Sequence, residues 1–462
     1  MTRFSRYSFL LGLGLTFGSC QSFVSDLNVD PNRPATVNAP NTIQGVMVAD
    51  ALVHEAEAAR VSAVWTNQFT GADRQYLSIE QYNVTSGNFD DVWDLSYYAV
   101  VTQARLTAAN AASTGAFRLQ GVAQVLEAHA IGTLTALFGD VPYRQVGNRA
   151  EIPNPAFDPQ AQVYEDLQKE LSDAITNLGR PGTIPGPQDI YFSGNAGKWI
   201  AVANTLKARY YLQTKNYAAA RTAAAAGISS SENDMAMPHQ DASGAQNVYY
   251  QFLVNERPGY LSAEGSYAAQ MLDPSLKGSA INRNSASTDE AARFNYYFTK
   301  AAAGTTDYGI REGEGFSGPD TAFPLVTYAE NQLIIAEAAA RANTAADNTA
   351  ALTALNNYRT ALQKQFPTGR YAPLTLAILP GTGTDNAKLL REVLTERYLL
   401  FIGQVGAFND ARRTNNALNI PLKRIGSPSL PQRFLYPQSE INTNPNVPSP
   451  LPGLFDKTPI NR

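Results

Sequence analysis

The sequence predicts a mainly α-helical protein built from helical hairpins, with a loop-rich insertion and a long irregular C-terminal tail. Two stretches, 197–228 and 326–362, carry apolar residues at helical spacing with one polar break, which is typical of a helical hairpin. Residues 229–320 lack helical periodicity and are rich in Gly, Ser, Asn and Tyr. Residues 421–462 hold nine of the 27 prolines, so we expect a non-helical tail that lies over the body in extended form.

The N-terminal residues have the order of a secretory signal. Arg3 and Arg6 precede an apolar run from about Phe9 to Phe17, and small residues follow. The run is about half of the roughly 20 residues that span a bilayer as a helix, so a permanent transmembrane anchor is not expected. Cys20 is the only cysteine among 462 residues, and it stands where cleavage is expected.

The stretch "LTFGSC" resembles the lipobox of bacterial lipoproteins, in which the cysteine becomes the acylated first residue of the mature chain. The resemblance implies a signal peptide at 1–19, a lipid on Cys20, a polar tether at 20–41 and a body at 42–462. The alternative is an ordinary signal peptide that contains a cysteine by accident.

Three helices are predicted ahead of the first hairpin. Apolar residues recur at helical spacing from Thr42 to Phe69, a second helix is predicted from about Asp90 to Ala112, and a third from about Phe117 to Phe138. Trp93 and Trp199 precede helix-like runs, so both are interpreted as core residues.

The two hairpins are each about as long as one tetratricopeptide repeat. The first breaks at Lys215-Asn216, and the second breaks near Asn343 to Asp347. One such unit cannot bury its apolar face alone, so we expect a partly solenoid-like helical scaffold.

Charge and motifs exclude several classes of protein. The formal net charge is −4, only 16% of the residues are charged, and no basic block is present, so nucleic-acid binding is not expected. The sequence contains no GxSxG, GxxxxGK[ST], HExxH or CxxC motif. The three histidines, His54, His129 and His239, are far apart, and the first two fall within predicted helices, which favours a structural role.

Carboxylate pairs are the remaining route to catalysis, because a glycosidase needs only two acids at a suitable separation. The candidates are Asp90, Asp91 and Asp94 at a helix start, and Glu392 with Glu396 one helical turn apart. We interpret them as solvated or ion-paired, and we expect Arg391 and Arg397 to offset the second pair. No enzyme is therefore predicted.

A binding function has more support. The stretch from Gln68 to Trp93 combines aromatic rings with amide, carboxylate and guanidinium groups, which is the mixture that a sugar site needs. Six tyrosines in the insertion offer a second aromatic platform or ordinary packing: Tyr249, Tyr250, Tyr260, Tyr267, Tyr296 and Tyr297.

Seven blocks, in order, resemble the SusD/RagB family of outer-membrane lipoproteins of Bacteroidota. They are "LNVDPNRP" (27–34), "WTNQFTGADRQY" (65–76), "LFGDVPY" (137–143), "VYEDLQKELSDAI" (163–175), "KWIAVANTLKAR" (198–209), "TYAENQLIIAEAAAR" (327–341) and "LPQRFLYPQSEINTNP" (430–445). The resemblance implies a SusD-like fold, with tetratricopeptide-like hairpins and a ligand face made of loops.

The resemblance also implies a function. The protein would be a lipid-anchored outer-membrane subunit on the extracellular face that covers a SusC-like TonB-dependent barrel and captures an oligosaccharide. Within the loop, it implies ligand-binding roles for Asp73, Arg74, Tyr76 and Tyr82. The alternative is that both tyrosines are packing residues and that Asp73 and Arg74 form an ion pair.

Other functions stay open at this point. A peptide is the nearest alternative ligand, and a glycoside hydrolase or a protein-binding scaffold are further alternatives. No cofactor is indicated, and calcium binding is left open. The acidic run that often follows the cysteine in surface lipoproteins of this group is absent, because Asp26 is the first acid after Cys20. Exposure on the outer face therefore depends mainly on the family resemblance.

Overall fold

The computed structural model describes residues 39–147, 150–302 and 305–462, and the described chain is mainly helical, as predicted. The predicted signal peptide, Cys20 and most of the tether lie outside the described residues.

The helices of the first half are α1 (Ala39–Glu55), α2 (Glu57–Trp65), α3 (Arg74–Glu80), α4 (Asp90–Asp94), α5 (Thr102–Ser113), α6 (Phe117–Phe138), α7 (Gln160–Gly179), α8 (Ala196–Gln213) and α9 (Tyr217–Ala224). The helices of the second half are α10 (Val248–Tyr250), α11 (Tyr267–Leu272), α12 (Ala291–Tyr297), α13 (Tyr328–Ala342), α14 (Ala345–Gln365), α15 (Asp385–Leu400), α16 (Gly406–Arg413) and α17 (Gln438–Thr443). Two π-helical segments, Leu95–Val101 and Gln251–Glu256, continue α4 and α10. Short 3₁₀ turns are Ser86–Phe89, Gly186–Gln188, Ser231–Asn233, Pro274–Leu276, Leu376–Ile378 and Pro459–Asn461.

The strands are short. They are β1 (Thr70–Gly71), β2 (Val141–Pro142), β3 (Phe157–Asp158), β4 (Met235–Met237), β5 (Leu261–Ser262), β6 (Thr288–Asp289), β7 (Phe298–Lys300), β8 (Tyr308–Ile310), β9 (Phe323–Val326) and β10 (Arg370–Tyr371). Within the described ranges they form five antiparallel pairs, which are β1–β5, β2–β3, β4–β9, β6–β10 and β7–β8. Because each pair has only two strands, the sheets fasten loops to the helical body and form no layer of their own.

The two predicted hairpins correspond to α8–α9 and α13–α14. Each of these helices begins after a residue whose side chain accepts a hydrogen bond from a backbone N–H of the first turn, namely Asn195, Asn216, Thr327 and Thr344. Asn343 ends α13 in the left-handed conformation, at φ +56°, which asparagine tolerates well. Local capping therefore fixes where each hairpin turns.

Helix α6 lies at the centre of the largest hydrophobic core. It is long and apolar enough to cross a membrane by length and composition, but the apolar window is fully buried within the protein. Gly132 allows α8 to approach closely, because a Cβ atom there would lie 2.2 Å from the Tyr210 hydroxyl oxygen. That hydroxyl donates to the carbonyl oxygen of Ala128 at 2.7 Å, so the close approach also satisfies a buried polar group.

The tail completes this core. Phe434 stacks on Phe89 with a centroid distance of 4.5 Å and meets Trp65 edge-on at 5.3 Å. The backbone N–H of Phe434 donates to the carbonyl oxygen of Leu137 at 2.9 Å, near the end of α6. Most of the tail is irregular, as predicted, although α17 is helical where no helix was expected. Pro437 stands just before α17, where a missing N–H costs nothing, and no proline interrupts the helix.

The insertion also contains more helix than expected. Helices α10, α11 and α12 have three, six and seven residues, and the π-helical segment Gln251–Glu256 adds six more. Helices this short do not fill the window of about 11–18 residues in which helical periodicity is detected.

A buried network of charges joins the insertion to the second hairpin. Glu396 on α15 accepts hydrogen bonds from Arg283 at 2.9 Å, Arg293 at 3.1 Å and the Tyr358 hydroxyl at 3.2 Å. Glu392 is bound by the two terminal nitrogens of Arg283. The sequence predicted that both acids are solvated or ion-paired, with Arg391 and Arg397 offsetting their charge. They are ion-paired, but their partners are Arg283 and Arg293 of the insertion and Arg359 of α14.

Arg397 lies next to Glu396 on α15 and belongs to a second network. Its guanidinium donates to Asp410 on α16 at 2.7 and 3.1 Å and lies 3.5 Å from Glu337 on α13. Arg413 on α16 binds both Glu337 and Asp410. All these side chains are buried or nearly so, so each charge depends on its partners.

Replacing Glu396 tests the first network. We expect Glu396→Gln to lower the free energy of unfolding by about 3–5 kcal/mol, because it leaves buried guanidinium groups without their counter-charge. Glu232→Gln is the matched control, since Glu232 forms an exposed pair with Lys364 at 3.2 Å, and a loss of at most about 1 kcal/mol is expected. Urea unfolding measures both, and equal losses would contradict the role of Glu396.

The same variant has a defined pH dependence. Burial opposes ionisation of Glu396, but the charges of Arg283, Arg293 and Arg359 hold its pKa at about 2, below the ordinary value of 4.5. The contribution of the Glu396 carboxylate to the free energy of unfolding is therefore complete above about pH 4.5 and is lost as the pH falls through about 2. The difference in stability between parent and Glu396→Gln is expected to shrink over that interval.

Candidate ligand-binding site

The predicted ligand loop begins with an exposed pair of charges. Asp73 precedes α3, and its Oδ1 accepts a hydrogen bond from the backbone N–H of Arg74 at 2.8 Å. The Arg74 Nε atom lies 3.7 Å from Asp73 Oδ2, with both side chains more than half exposed. A ligand can reach both side chains, although the pair also fits the alternative of an ion pair that fixes the loop.

The two tyrosines of the predicted site are buried. The Tyr76 hydroxyl accepts a hydrogen bond from Arg60 Nε at 2.7 Å, and its ring meets Phe252 edge-on at 5.1 Å. The Tyr82 hydroxyl accepts one from the backbone N–H of Lys423 at 3.0 Å, and burial raises the pKa of both phenols. The structure favours the packing alternative for both rings, and the ligand-binding role of the four residues stays a prediction.

The insertion adds residues beside Asp73 and Arg74. Strand β5 pairs with β1, which brings Tyr260 next to the loop. The guanidinium carbons of Arg74 and Arg257 lie 5.8 and 5.7 Å from the centre of the Tyr260 ring. We call this set, Asp73, Arg74, Arg257 and Tyr260, the loop face. Tyr260 was named from the sequence, whereas Arg257 gave no signal because no local pattern connects it to residues 73–76.

The other insertion tyrosines divide between packing and partial exposure. Tyr249, Tyr267 and Tyr297 are buried, and Tyr250 and Tyr296 are half-buried like Tyr260. The six rings therefore do not form one continuous platform.

A larger concave site lies on another part of the surface. It is a cleft of about 920 Å³ lined by α4, the π-helical segment Leu95–Val101, the loop after β2, and Glu440 of α17. Tyr98 lines it and is 78% exposed, which is the second-highest exposure among the large hydrophobic residues described. We call it the Tyr98 cleft, and its volume falls within the roughly 300–1,000 Å³ of small-molecule sites.

Two fixed aromatic rings stand beside Tyr98. The Tyr97 hydroxyl donates to the carbonyl oxygen of Pro142 at 2.6 Å, and its ring packs on Trp93 at 4.9 Å. Trp93 is 3% exposed, as predicted for a core residue, yet it also lines the cleft. Tyr98 is thus an exposed ring on a rigid wall. The sequence did not single out Tyr98, because it lies within a helical run. The spacing of apolar residues does not show which face of that helix the rest of the protein covers.

Three acids line the Tyr98 cleft, which are Asp91, Asp94 and Glu440. Burial raises the pKa of Asp94, and the charge of Asp90 adds to the effect. Burial likewise raises the pKa of Glu440, whose carboxylate accepts a hydrogen bond from Asn444 at 2.7 Å. No Lys, Arg or His is among the described residues that line the cleft. The cleft therefore offers hydrogen-bond acceptors beside an exposed ring.

One buried cluster has the residue types of a metal site. Asp50, His54 and His129 each offer a ligand atom, and these atoms lie within 4.8 Å of one another. The imidazole rings are stacked 3.7 Å apart with a 3° interplanar angle, so their lone pairs lie in parallel planes and do not converge on one ion. Both nitrogens of His54 are also engaged, with the Asp50 carbonyl at 2.6 Å and the Thr133 hydroxyl at 2.8 Å.

Burial disfavours the charged forms of this cluster. It lowers the pKa of His54 to about 3 and raises that of Asp50 to about 7. The arrangement fits the structural role that the sequence predicted for His54 and His129.

A pair of variants separates packing from exposure in the predicted loop. Arg74→Ala is expected to change the free energy of unfolding by no more than about 0.5 kcal/mol, since the side chain is exposed. Tyr76→Ala is expected to lower it by about 3–5 kcal/mol, because it empties a core position and leaves Arg60 without its partner. Chemical denaturation measures both, and a neutral Tyr76→Ala would contradict the packing assignment.

The sequence and the fold were compared with known proteins. A SusD-like family model, described as "Starch-binding associating with outer membrane", matches residues 31–437. A search of curated proteins finds no significant match.

Many solved structures share the fold. A SusD/RagB family protein from Bacteroides thetaiotaomicron has a TM-score of 0.64 at 21% identity, over 89% of this chain and 95% of that one. A SusD homolog from Bacteroides uniformis has a TM-score of 0.70 at 18% identity, over 92% and 100% of the two chains. A chitin-binding SusD homolog from Flavobacterium johnsoniae has a TM-score of 0.63 at 16% identity, over 87% and 94%. The family model spans most of the chain, and the protein therefore belongs to the SusD-like family.

Proposed function

We propose that this protein captures a nutrient glycan at the cell surface and acts as the lid subunit of a SusC-like TonB-dependent barrel, without changing the glycan chemically. A lipid on Cys20, which lies outside the described residues, anchors it to the outer membrane. The observation that carries the proposal is family membership over residues 31–437.

The Tyr98 cleft is the glycan site in this proposal. A sugar ring has apolar C–H faces bordered by hydroxyl groups, so it suits one exposed aromatic ring beside hydrogen-bond acceptors. Tyr98 supplies the ring, and Asp91, Asp94 and Glu440 supply the acceptors. The cleft is open, which permits a long chain to enter and to leave again. We expect the affinity of such an open cleft to be moderate, which suits release of the glycan to a transporter.

The loop face is the secondary contact region. Asp73 and Arg74 remain reachable, and Tyr260 with Arg257 extends the polar and aromatic surface around them.

A basic peptide is the second candidate ligand. The described residues that line the Tyr98 cleft include three acids and no cation. Such a cleft can bind the positively charged side chains of a peptide as well as the hydroxyl groups of a sugar. Binding of neutral oligosaccharides and of Lys-rich peptides to the same protein preparation separates the two classes.

A glycoside hydrolase is less favoured. Glu392 and Glu396 form one of the two acid groups named from the sequence, and both are buried and bound by Arg283. Arginine charges hold the pKa of Glu396 well below its usual value, so this pair does not suit the general acid that the reaction needs. We expect no release of reducing sugar from any glycan that the protein binds.

Replacing Tyr98 tests the site. We expect Tyr98→Ala to weaken glycan binding by about twofold to tenfold, because it removes the exposed ring, whereas Tyr98→Phe retains most of the affinity. Calorimetric titration with starch-derived and chitin-derived oligosaccharides measures the effect. The matched control is Leu106→Ala, an exposed apolar side chain on α5 that does not line the cleft. Equal affinities of Tyr98→Ala and the parent would exclude this cleft as the site.

The membrane role has a separate test. We expect a large barrel protein to co-purify with the parent protein from native outer membranes. We expect Cys20→Ser to lose membrane association, because it removes the lipid attachment point. Mass spectrometry of the co-purifying proteins gives the readout. A parent protein that comes down alone would contradict the lid role, whatever the result at Tyr98.

A further inference from the structure

A second cleft, of about 390 Å³, opens beside the N-terminus of α13. Asp234, the end of α12 and the C-terminal parts of α14 and α15 line it. Its lining residues are not those of the Tyr98 cleft or the loop face, and its volume is in the range of small-molecule sites. We call it the Asp234 cleft.

Among the described residues, the carboxylate of Asp234 has no cationic partner. Its Oδ1 accepts one hydrogen bond, from the backbone N–H of Tyr328 at 2.7 Å. Burial raises the pKa of this carboxyl to about 7, the charge of Glu330 raises it further, and among the described residues no cation lowers it. An acid in a small cleft that lacks a counter-charge favours a ligand that brings one.

The neighbouring cations, Arg293 and Lys364, are already paired with other groups. Arg293 donates to Glu396 at 3.1 Å and to the Tyr358 hydroxyl at 3.2 Å. Lys364 lies at the rim, where its Nζ is 3.2 Å from Glu232. Neither compensates Asp234, so the unbalanced charge of the cleft is negative.

Aromatic rings form much of the wall. Tyr297, Tyr328, Tyr358 and Phe366 line the cleft, and Tyr358 is fixed by its bonds to Arg293 and Glu396. Aromatic faces attract organic cations, most strongly where water is partly excluded. An unpaired carboxylate among aromatic rings is the combination that recognises an ammonium group. The amides of Gln365 and Gln404 line the same space and offer hydrogen bonds to the rest of a ligand.

We propose that the Asp234 cleft is a second ligand site that binds a small molecule carrying a primary ammonium group, such as an amino sugar or a free amino acid. The ammonium group pairs with the Asp234 carboxylate, and the aromatic rings surround the adjoining carbon atoms. The Asp234 cleft and the Tyr98 cleft share no described lining residue, so failure of the proposed function would leave this second proposal intact.

The minimal probe is n-butylammonium, titrated into the full-length protein by ligand-observed NMR. We expect binding on the order of millimolar and at least about tenfold weaker binding to Asp234→Asn. The asparagine can still accept the Tyr328 N–H bond, so the start of α13 is preserved. Glu256→Gln, which removes an exposed acid outside the lining, is expected to bind like the parent.

The pH profile is a second readout on the unaltered protein. Affinity for n-butylammonium is expected to rise by up to about tenfold from pH 6 to pH 8, as Asp234 loses its proton while the alkyl ammonium keeps its own. The other charged or titratable side chains among the described residues that line the cleft are Arg293 and Tyr297 of α12, Tyr328 of α13, and Tyr358 and Lys364 of α14. Glu330 of α13, which is held by Arg209, also acts on Asp234 through its charge. None of these has an ordinary pKa in that interval. The profile of Asp234→Asn is expected to be flat.

Comparison ligands identify the source of the ammonium group. The site is assigned to amino sugars if glucosamine binds more tightly than n-butylammonium while N-acetylglucosamine and glucose do not bind. It is assigned to amino acids if lysine binds more tightly than n-butylammonium. The proposal is overturned if neutral n-butanol binds as well as n-butylammonium, if no probe binds, or if Asp234→Asn binds like the parent.

Discussion

The buried charges at the middle of α15 are the constraint on which the rest of the structure depends. Glu396 and Arg397 are consecutive residues, and they enter different networks. Glu396 binds arginines of the insertion, whereas Arg397 joins α16 to Glu337 of the second hairpin. A charge removed from water is tolerated only when its partners are correctly placed. One helix therefore fixes three parts of the chain that hydrophobic packing alone would position less specifically.

The same charges help to hold the insertion, which supplies part of the loop face. The insertion is tied down by Arg283 and Arg293 on one side and by the pairing of β5 with β1 on the other. Tyr260 consequently stands at a defined place beside Arg74. The Tyr98 cleft is made in the same manner, by helices and a tail segment that are bonded to each other. Sites held by such supports bind ligand with little reordering cost.

The helical scaffold was predictable because its signals are local. Asn and Thr caps, alanine-rich hairpins and the break at Asn343 are all readable within about 20 residues. The site was less predictable, because burial depends on distant partners. The family resemblance implied ligand-binding roles for Tyr76 and Tyr82, yet Arg60 and the tail residue Lys423 bind their hydroxyl groups. Arg283 and Arg293, which pair with Glu396, likewise lie more than 100 residues away along the chain.

The position of Phe434 has a consequence for how the chain acquires its fold. Trp65 and Phe89 are made early, whereas Phe434, which packs against both, emerges near the end of synthesis. The central aromatic cluster stays open until the last tenth of the polypeptide arrives. Contacts of such long sequence separation form slowly, because the intervening chain must first be ordered. A nascent chain that lacks its final segment thus remains incompletely packed around Trp65 and Phe89.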